Sequence, residues 1–286
     1  MKPIQPPPWE TALENSGERF LPSITRSSTG LEHYHRYLIA AAEVAGKHVL
    51  DIACGEGYGS HLLAQTAASV RGADIDKESV RLAQEKYGAS DNIEYLTAPC
   101  SALPFADAEF DCVVSFETIE HIDDMGAFLK ETCRVLKPGG LLIISSPNKT
   151  PYNLQHSINH FHQDELEAEE FEELLRKHFA YVSLGQQQTL YMSLLSCERG
   201  GRTTYFERRA DDGAYHKMDG LRGLAYSIAF CSDQPVELGS SALLDTTDEG
   251  EAHRYDKNSA VYEIRDPGVA ERLAYLEQRE QERQRE

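Results

Sequence analysis

The chain is short of positive charge. Lys and Arg total 28 against 47 Asp and Glu, a formal net charge of −19, and that excess opposes phosphate backbones and anionic lipid surfaces, so a nucleic-acid partner is not expected. It also lacks paired cysteines. Its 6 cysteines, at Cys54, Cys100, Cys112, Cys133, Cys197 and Cys231, show no C-x-x-C spacing and mostly sit in apolar runs, the pattern of reduced core thiols in a cytoplasmic protein. No apolar run approaches the length of a membrane span, and no basic-plus-apolar leader is present. A cytoplasmic location without a membrane span is therefore expected. At 286 residues the chain can bury a substantial core, and one α/β domain with decorations fits better than two full domains.

What the sequence does hold is organised around Val49-Leu50-Asp51-Ile52-Ala53-Cys54-Gly55-Glu56-Gly57-Tyr58-Gly59. An apolar strand ends in an acid and runs into a glycine-rich turn, where missing Cβ atoms let a ligand approach the backbone. The His61-to-Ala68 segment then reads as a helix. A pyrophosphate on that turn would meet Asp51 and Glu56 with no Lys or Arg inside the turn to offset them. S-adenosylmethionine (SAM), with a sulfonium and an ammonium, suits the charges better. Asp74 closes the next apolar stretch, Val70-Arg71-Gly72-Ala73-Asp74-Ile75, where an acid can take both ribose hydroxyls. Ile75 would lie against the adenine face.

Four ordered motifs, DIACGEGYG, GADID, LPFADAEFDCVVSFETIEHI and RVLKPGGLLIISSPN, make the stretch from Gly46 to Phe179 resemble a class I SAM-dependent methyltransferase. The branch is the one that includes ubiquinone and sugar methyltransferases. The resemblance implies a Rossmann-like, doubly wound, seven-stranded and mostly parallel sheet with one antiparallel strand. It implies cofactor contacts from Asp51, Ala53, Gly55, Gly57, Asp74, Ile75, Cys100, Ser101 and Phe116. One departure stands out: Pro99 occupies the place where the family has an Asp on the adenine amino group, so Cys100, Ser101 or the backbone must take that contact.

The periodicity agrees with the motifs. Strands are read at Val49–Ile52, Val70–Asp74, Ile93–Leu96, Cys112–Ser115 and Leu141–Ile144, with helices between them, and such alternation gives a parallel sheet with ligands at the carboxyl ends of its strands. Arg134 to Gly140 reads as a helix end with a Pro-Gly-Gly turn, and Asp164 as the N-cap of an acidic helix Glu165–His178. Tyr181–Leu190 and Leu224–Cys231 read as the antiparallel hairpin, with a polar inserted loop at about Glu198–Leu221. Residues 1–45 are expected to form an arm and capping helix, 46–245 the methyltransferase domain, and 246–286 a polar linker and C-terminal polar helix. Gly17-Glu18-Arg19-Phe20-Leu21-Pro22 paired with the helix that begins Leu31-Glu32-His33-Tyr34-His35-Arg36-Tyr37-Leu38 and continues through Ala45 resembles bacterial methyltransferases associated with cell-surface glycans. That second resemblance puts Tyr34, His35 and Arg36 at the cleft.

Methyl transfer is an in-line displacement, so the protein mainly aligns acceptor, methyl and sulfur. An alcohol acceptor also needs a proton removed. His121, past the fourth strand, and His162, in the loop after the fifth, are the candidate bases, with Glu117, Glu120 and His160 behind them; His160, Tyr34 and Arg36 are candidate acceptor contacts. No Asp/Glu/His set has convincing metal-ligand spacing, so no metal is expected. The leading expectation is O-methylation of a sugar or glycan hydroxyl. N-methylation of an amino sugar or another small metabolite stays open, as do a non-catalytic SAM-binding module and assembly into a homo-oligomer.

Overall fold

The computed structural model describes residues 4, 28–155, 165–190, 205–208, 215–218 and 223–236, all of them within one compact unit, Met1–Ala242. The chain opens with α1 (Ser28–Glu43) and β1 (His48–Ile52), then α2 (Tyr58–Ala64), β2 (Ser69–Asp74), α3 (Lys77–Tyr87), β3 (Ile93–Thr97) and β4 (Phe110–Ser115). A 3-10 turn, Ile119–His121, precedes α4 (Met125–Val135), β5 (Leu136–Pro147), α5 (Lys149–Gln155) and α6 (Ala168–Arg176). β6 (Tyr181–Gln187), β7 (Tyr205–Arg208), β8 (Tyr215–Met218) and β9 (Tyr226–Ser232) follow.

Seven strands form one sheet in the order β3-β2-β1-β4-β5-β9-β6. β1 lies parallel to β2 and β4, and β9 is antiparallel to both of its neighbours, β5 and β6. The expected architecture, mostly parallel with one antiparallel strand, is the observed one. Alternation along each strand feeds two cores. Leu50, Val113, Leu142 and Ile144 pack on one face with Phe128 and Leu129 of α4 and Phe171 and Leu175 of α6. Val49, Val114 and Ile143 pack on the other with Tyr37, Ala40 and Ala41 of α1 and Leu62 and Leu63 of α2. Removing such side chains from water contributes about 1.5–3 kcal/mol each. The chain order reverses between β1 and β4, which leaves a crevice at their carboxyl ends, where open α/β sheets bind ligands.

Local chemistry explains where several elements start. Asp76 caps α3 by accepting from the N–H groups of Glu78 and Ser79, and Asp124 caps α4 by accepting from Ala127. α6 begins at Ala168 rather than Glu165, with the Glu167 N–H donating to the Glu170 carboxylate at 2.9 Å; Asp164, the expected cap, lies outside the described residues. α2 spans Tyr58–Ala64 instead of starting at His61, because Gly57 turns the chain with φ 84 and the helix begins at the next residue. β5 is longer than expected. It absorbs Lys137-Pro138-Gly139-Gly140 as an irregularity in which Phe110 pairs with Leu136 but Cys112 pairs with Leu141, eased by φ 73 at Gly139.

In the interval expected to be an inserted loop, β7 and β8 pair antiparallel. Cys54, Cys100, Cys112, Cys133 and Cys231 are free thiols. No helix among the described residues is long and apolar enough to cross a membrane. The proline-rich start apart from Ile4, together with Gly17–Pro22, Cys197, and the expected linker and C-terminal helix of 246–286, falls outside the described residues.

Candidate active site

The loop after β1 is bent by three residues with positive φ: Ala53 at 58, Gly55 at 54 and Gly57 at 84. Gly55 and Gly57 differ in what they face. A Cβ on Gly57 would stand 2.7 Å from the Ala83 Cβ and from the Tyr95 hydroxyl, so glycine there serves packing. A Cβ on Gly55 would meet nothing within 4 Å. That open side, over the carboxyl end of the sheet, is where a ligand fits. Asp74 faces the same loop. One carboxylate oxygen accepts from the Gly55 N–H at 2.8 Å and the other from the Asp76 N–H at 2.8 Å, which fixes the carboxylate and leaves each oxygen a further lone pair. Ile75 beside it is 73% exposed. Beside it, just past β3, Ala98 donates to the Asp74 carbonyl, Pro99 and Ser101 are exposed, and Cys100 is half-buried, its thiol pKa raised by burial.

The charge argument made from the sequence needs correction. Asp51 is fully buried; it accepts from the Ser60 hydroxyl at 2.6 Å and the Tyr37 hydroxyl at 3.2 Å. Burial raises its pKa to about 7, against the opposing effect of those two hydrogen bonds. Glu56 is buried as well, and Lys86 of α3 bonds it at 2.7 Å. The turn itself contains no cation, as expected, but one arrives from 30 residues along the chain. Asp74 is thus the carboxylate of this loop that lies beside the open side of Gly55.

A second cluster sits past β4. Phe116 is buried edge-on to Tyr37, ring centroids 4.9 Å apart. Glu117 adopts φ 50, a left-handed conformation that non-glycine residues seldom hold without a reason. Here the reason is visible in its partners. The Glu117 N–H donates to Ser145 Oγ at 3.1 Å, and that hydroxyl donates back to Glu117 Oε1 at 2.7 Å. Arg36 Nη1 reaches the same oxygen at 2.8 Å. The guanidinium is itself fixed: Nε donates to Gln187 Oε1 at 2.6 Å, and Cζ lies 4.5 Å from the Tyr226 ring centroid. Gln187 in turn donates to the Glu32 carbonyl at 3.0 Å. Arg36 has no side-chain exposure, whereas Glu117 keeps 16%. Glu117 Oε2 has no hydrogen bond among the described residues.

Three residues on, Glu120 is buried, and its carboxyl is pushed well above the usual range by burial first and by the Glu117 charge second. His121 Nε2 is 4.0 Å from Glu120 Oε1, and the side chain is 30% exposed. On α1, Tyr34 lies 5.7 Å from Tyr58, centroid to centroid. Burial and the nearby Arg36 charge lower the pKa of His35. The structure therefore brings Arg36, Glu117, Glu120 and His121 to one edge. His160 and His162 lie outside the described residues. Sequence reasoning did not find Ser145, Gln187, Tyr226 or Lys86. The only hints were polar residues interrupting apolar stretches, as in Leu-Ile-Ile-Ser-Ser and Gly-Gln-Gln-Gln.

Residues 50–144 match the methyltransferase domain family. Over that stretch the chain is similar to a methyltransferase domain. A protein of Mycolicibacterium smegmatis named a probable S-adenosylmethionine-dependent methyltransferase is 36% identical over 168 residues, 58% of this chain and 64% of that one. A similarly named protein of Mycobacterium tuberculosis is 36% identical over 177 residues, 59% of this chain and 64% of its own length. A ubiquinone biosynthesis O-methyltransferase of Psychrobacter arcticus is 35% identical over 119 residues, 40% of this chain and 46% of that enzyme. The chain thus spans less than two thirds of the curated relatives it matches.

Two solved structures share the fold. One is a chain of a Haloferax volcanii complex containing the Trm112 methyltransferase activator, at TM-score 0.53 and 20% identity, covering 74% of this chain and 93% of that one. The other is the YcgJ protein of Bacillus subtilis, at TM-score 0.51 and 17% identity, covering 71% and 100%. S-adenosylmethionine is the donor named for the two mycobacterial relatives, and the residues present here fit it. Gly55 offers backbone with open space, and the Asp74 carboxylate is held in place with lone pairs to spare for hydroxyl groups.

Proposed function

We propose that the chain methylates a hydroxyl of a sugar or glycan, with Glu117 as the group that receives the acceptor proton. Bound SAM supplies an electrophilic methyl on a cationic sulfur. Gly55, Asp74 and Ile75 hold the nucleoside, and Cys100 and Ser101 face the adenine in place of the family's Asp. The chain's remaining task is to orient an acceptor and hold a proton acceptor beside it. The observation that carries the assignment is the clamp on Glu117: Arg36 and Ser145 fix one carboxylate oxygen, and the other, on a partly exposed side chain, has no hydrogen bond among the described residues. The ubiquinone O-methyltransferase relative supports an oxygen acceptor, and the glycan-type N-terminal segment with the net charge of −19 supports an uncharged sugar.

His121 and His162 are the competing bases, and substitution separates the three. With methyl-labelled SAM and a panel of nucleotide sugars and lipid-linked glycans, Glu117→Gln should lower turnover roughly 10²–10⁴-fold with SAM affinity nearly unchanged. His121→Ala and His162→Ala should each keep the acidic limb of the pH–rate profile. Full turnover by Glu117→Gln, or loss of that limb in a histidine variant, overturns the assignment. Label recovered on an amine nitrogen selects N-methylation instead.

A further inference from the structure

Around Glu117 several buried polar atoms have no hydrogen-bond partner among the described residues. Arg36 Nη2, both carboxyl oxygens of Glu120 and Ser115 Oγ are shielded from solvent and form no hydrogen bond among the described residues. Arg36 and Glu120 are each about 99% buried, at 1% exposure, and Ser115 is fully so. Native proteins satisfy nearly all such atoms, because each one left unpaired costs about 1–3 kcal/mol. These atoms belong to a single place. Arg36 is bonded to Glu117, Ser115 ends the strand from which Glu117 follows, and Glu120 feels the charges of Glu117, Arg36 and Glu165.

We propose that Arg36 Nη2 and the Glu120 carboxyl form an acceptor-recognition subsite for neighbouring hydroxyl groups of a polyhydroxylated ring, on either side of the Glu117 carboxylate. This deepens the sugar reading above and rests on it. The charge balance selects a neutral ligand. The Arg36 charge is already matched by Glu117 at 2.8 Å, so an anionic group would leave an uncompensated negative charge in a buried site. A cation would sit beside the guanidinium and could not accept from Nη2, which has hydrogens only to give. Hydroxyls accept from Arg36 and both give to and accept from a neutral carboxylic acid, the form that burial and Glu117 favour at Glu120. Glu120 is then a specificity-determining residue that touches the acceptor, not a group that exchanges its proton.

The test uses the full chain saturated with S-adenosylhomocysteine and titrated with the methyl pyranosides of glucose, galactose and mannose by calorimetry. At least one should bind wild type. Glu120→Gln keeps a donor and an acceptor in the same volume and should bind within about threefold of wild type, whereas Glu120→Ala should weaken binding about tenfold or more. S-adenosylhomocysteine affinity should stay constant in both, which separates a lost subsite from a damaged fold. Infrared spectroscopy of wild type and Glu120→Gln covers the case in which the alanine variant does not fold. Measured in an Asp51→Asn background, so that the other raised carboxyl does not contribute, a protonated-carboxyl band should be lost on adding Glu120→Gln and should shift when the pyranoside binds the protein that keeps Glu120. No pyranoside binding by wild type, no such band, or a Glu120→Gln loss as large as that of Glu120→Ala overturns the proposal, the last result pointing to a cation. Pyranoside binding without methyl transfer would retain the subsite and remove the proposed reaction.

Discussion

Replacing Asp74 by Ala removes one carboxylate from two jobs. In the free protein it accepts from the Gly55 and Asp76 N–H groups, each at 2.8 Å, and these lie at a crevice where water can replace it, so each loss should cost stability by about 1 kcal/mol or less. In the proposed SAM complex the same oxygens would face ribose hydroxyls, which the substitution would leave buried without a partner. That costs roughly 1–3 kcal/mol, or about 5- to 150-fold in Kd. Asp74→Asn should recover little of this, since one of its oxygens becomes an NH2 set against a backbone N–H. Calorimetric titration with SAM, paired with urea unfolding of the same samples, separates the two effects. The expected result is a loss of SAM affinity larger than the loss of stability. Wild-type affinity in Asp74→Ala would refute the placement of the ribose at this carboxylate.

The two glycines of the loop should respond in opposite ways. Gly57→Ala, with a Cβ 2.7 Å from Ala83 and Tyr95 at φ 84, should lower the thermal midpoint and reduce the yield of folded protein. Gly55→Ala has no steric clash in the free protein, so it should cost only the roughly 1–2 kcal/mol of a left-handed alanine while weakening SAM binding further, as read by thermal shift with and without SAM. Asp51 supplies a pH test. Its folded pKa, raised by burial to about 7 from 3.8, means that the folded state holds the proton more tightly. Its contribution is therefore fully present below the unfolded pKa and is lost as pH rises through about 7, up to roughly 4 kcal/mol. Urea unfolding at pH 5 and pH 8 should show a smaller pH dependence in Asp51→Asn than in wild type; equal dependence would contradict the buried, mostly internal role of this carboxylate.

Much of this molecule can be read from its sequence because the relevant signals are local. Apolar runs ending at Asp51 and Asp74, with glycines between them, announce strands that deliver a loop to the carboxyl edge of a sheet. The Leu-Leu-Ile-Ile run announces a central strand in the same way. What could not be read depends on distant partners. Glu56 looks like a free acid in the turn until Lys86 folds onto it, and Asp51 looks available until Tyr37 of α1 and Ser60 of α2 enclose it. Arg36 and Glu117 are 81 positions apart and meet only because α1 lies across the ends of β4 and β5, with Gln187 and Tyr226 arriving from the antiparallel strands. The histidines attracted the search for a base because their ordinary pKa suits proton transfer, whereas the clamp that singles out Glu117 is a tertiary feature. Pro99, at the position where the resemblance leads one to expect an Asp, is exposed.

The central claim is that the loop from Ala53 to Gly57, closed by Asp74, holds SAM. Calorimetric titration of the purified chain with SAM, and separately with NAD, tests it most directly. The account predicts saturable binding of one SAM per chain and no measurable binding of NAD at the same concentrations; binding of NAD as tight as, or tighter than, that of SAM would contradict it.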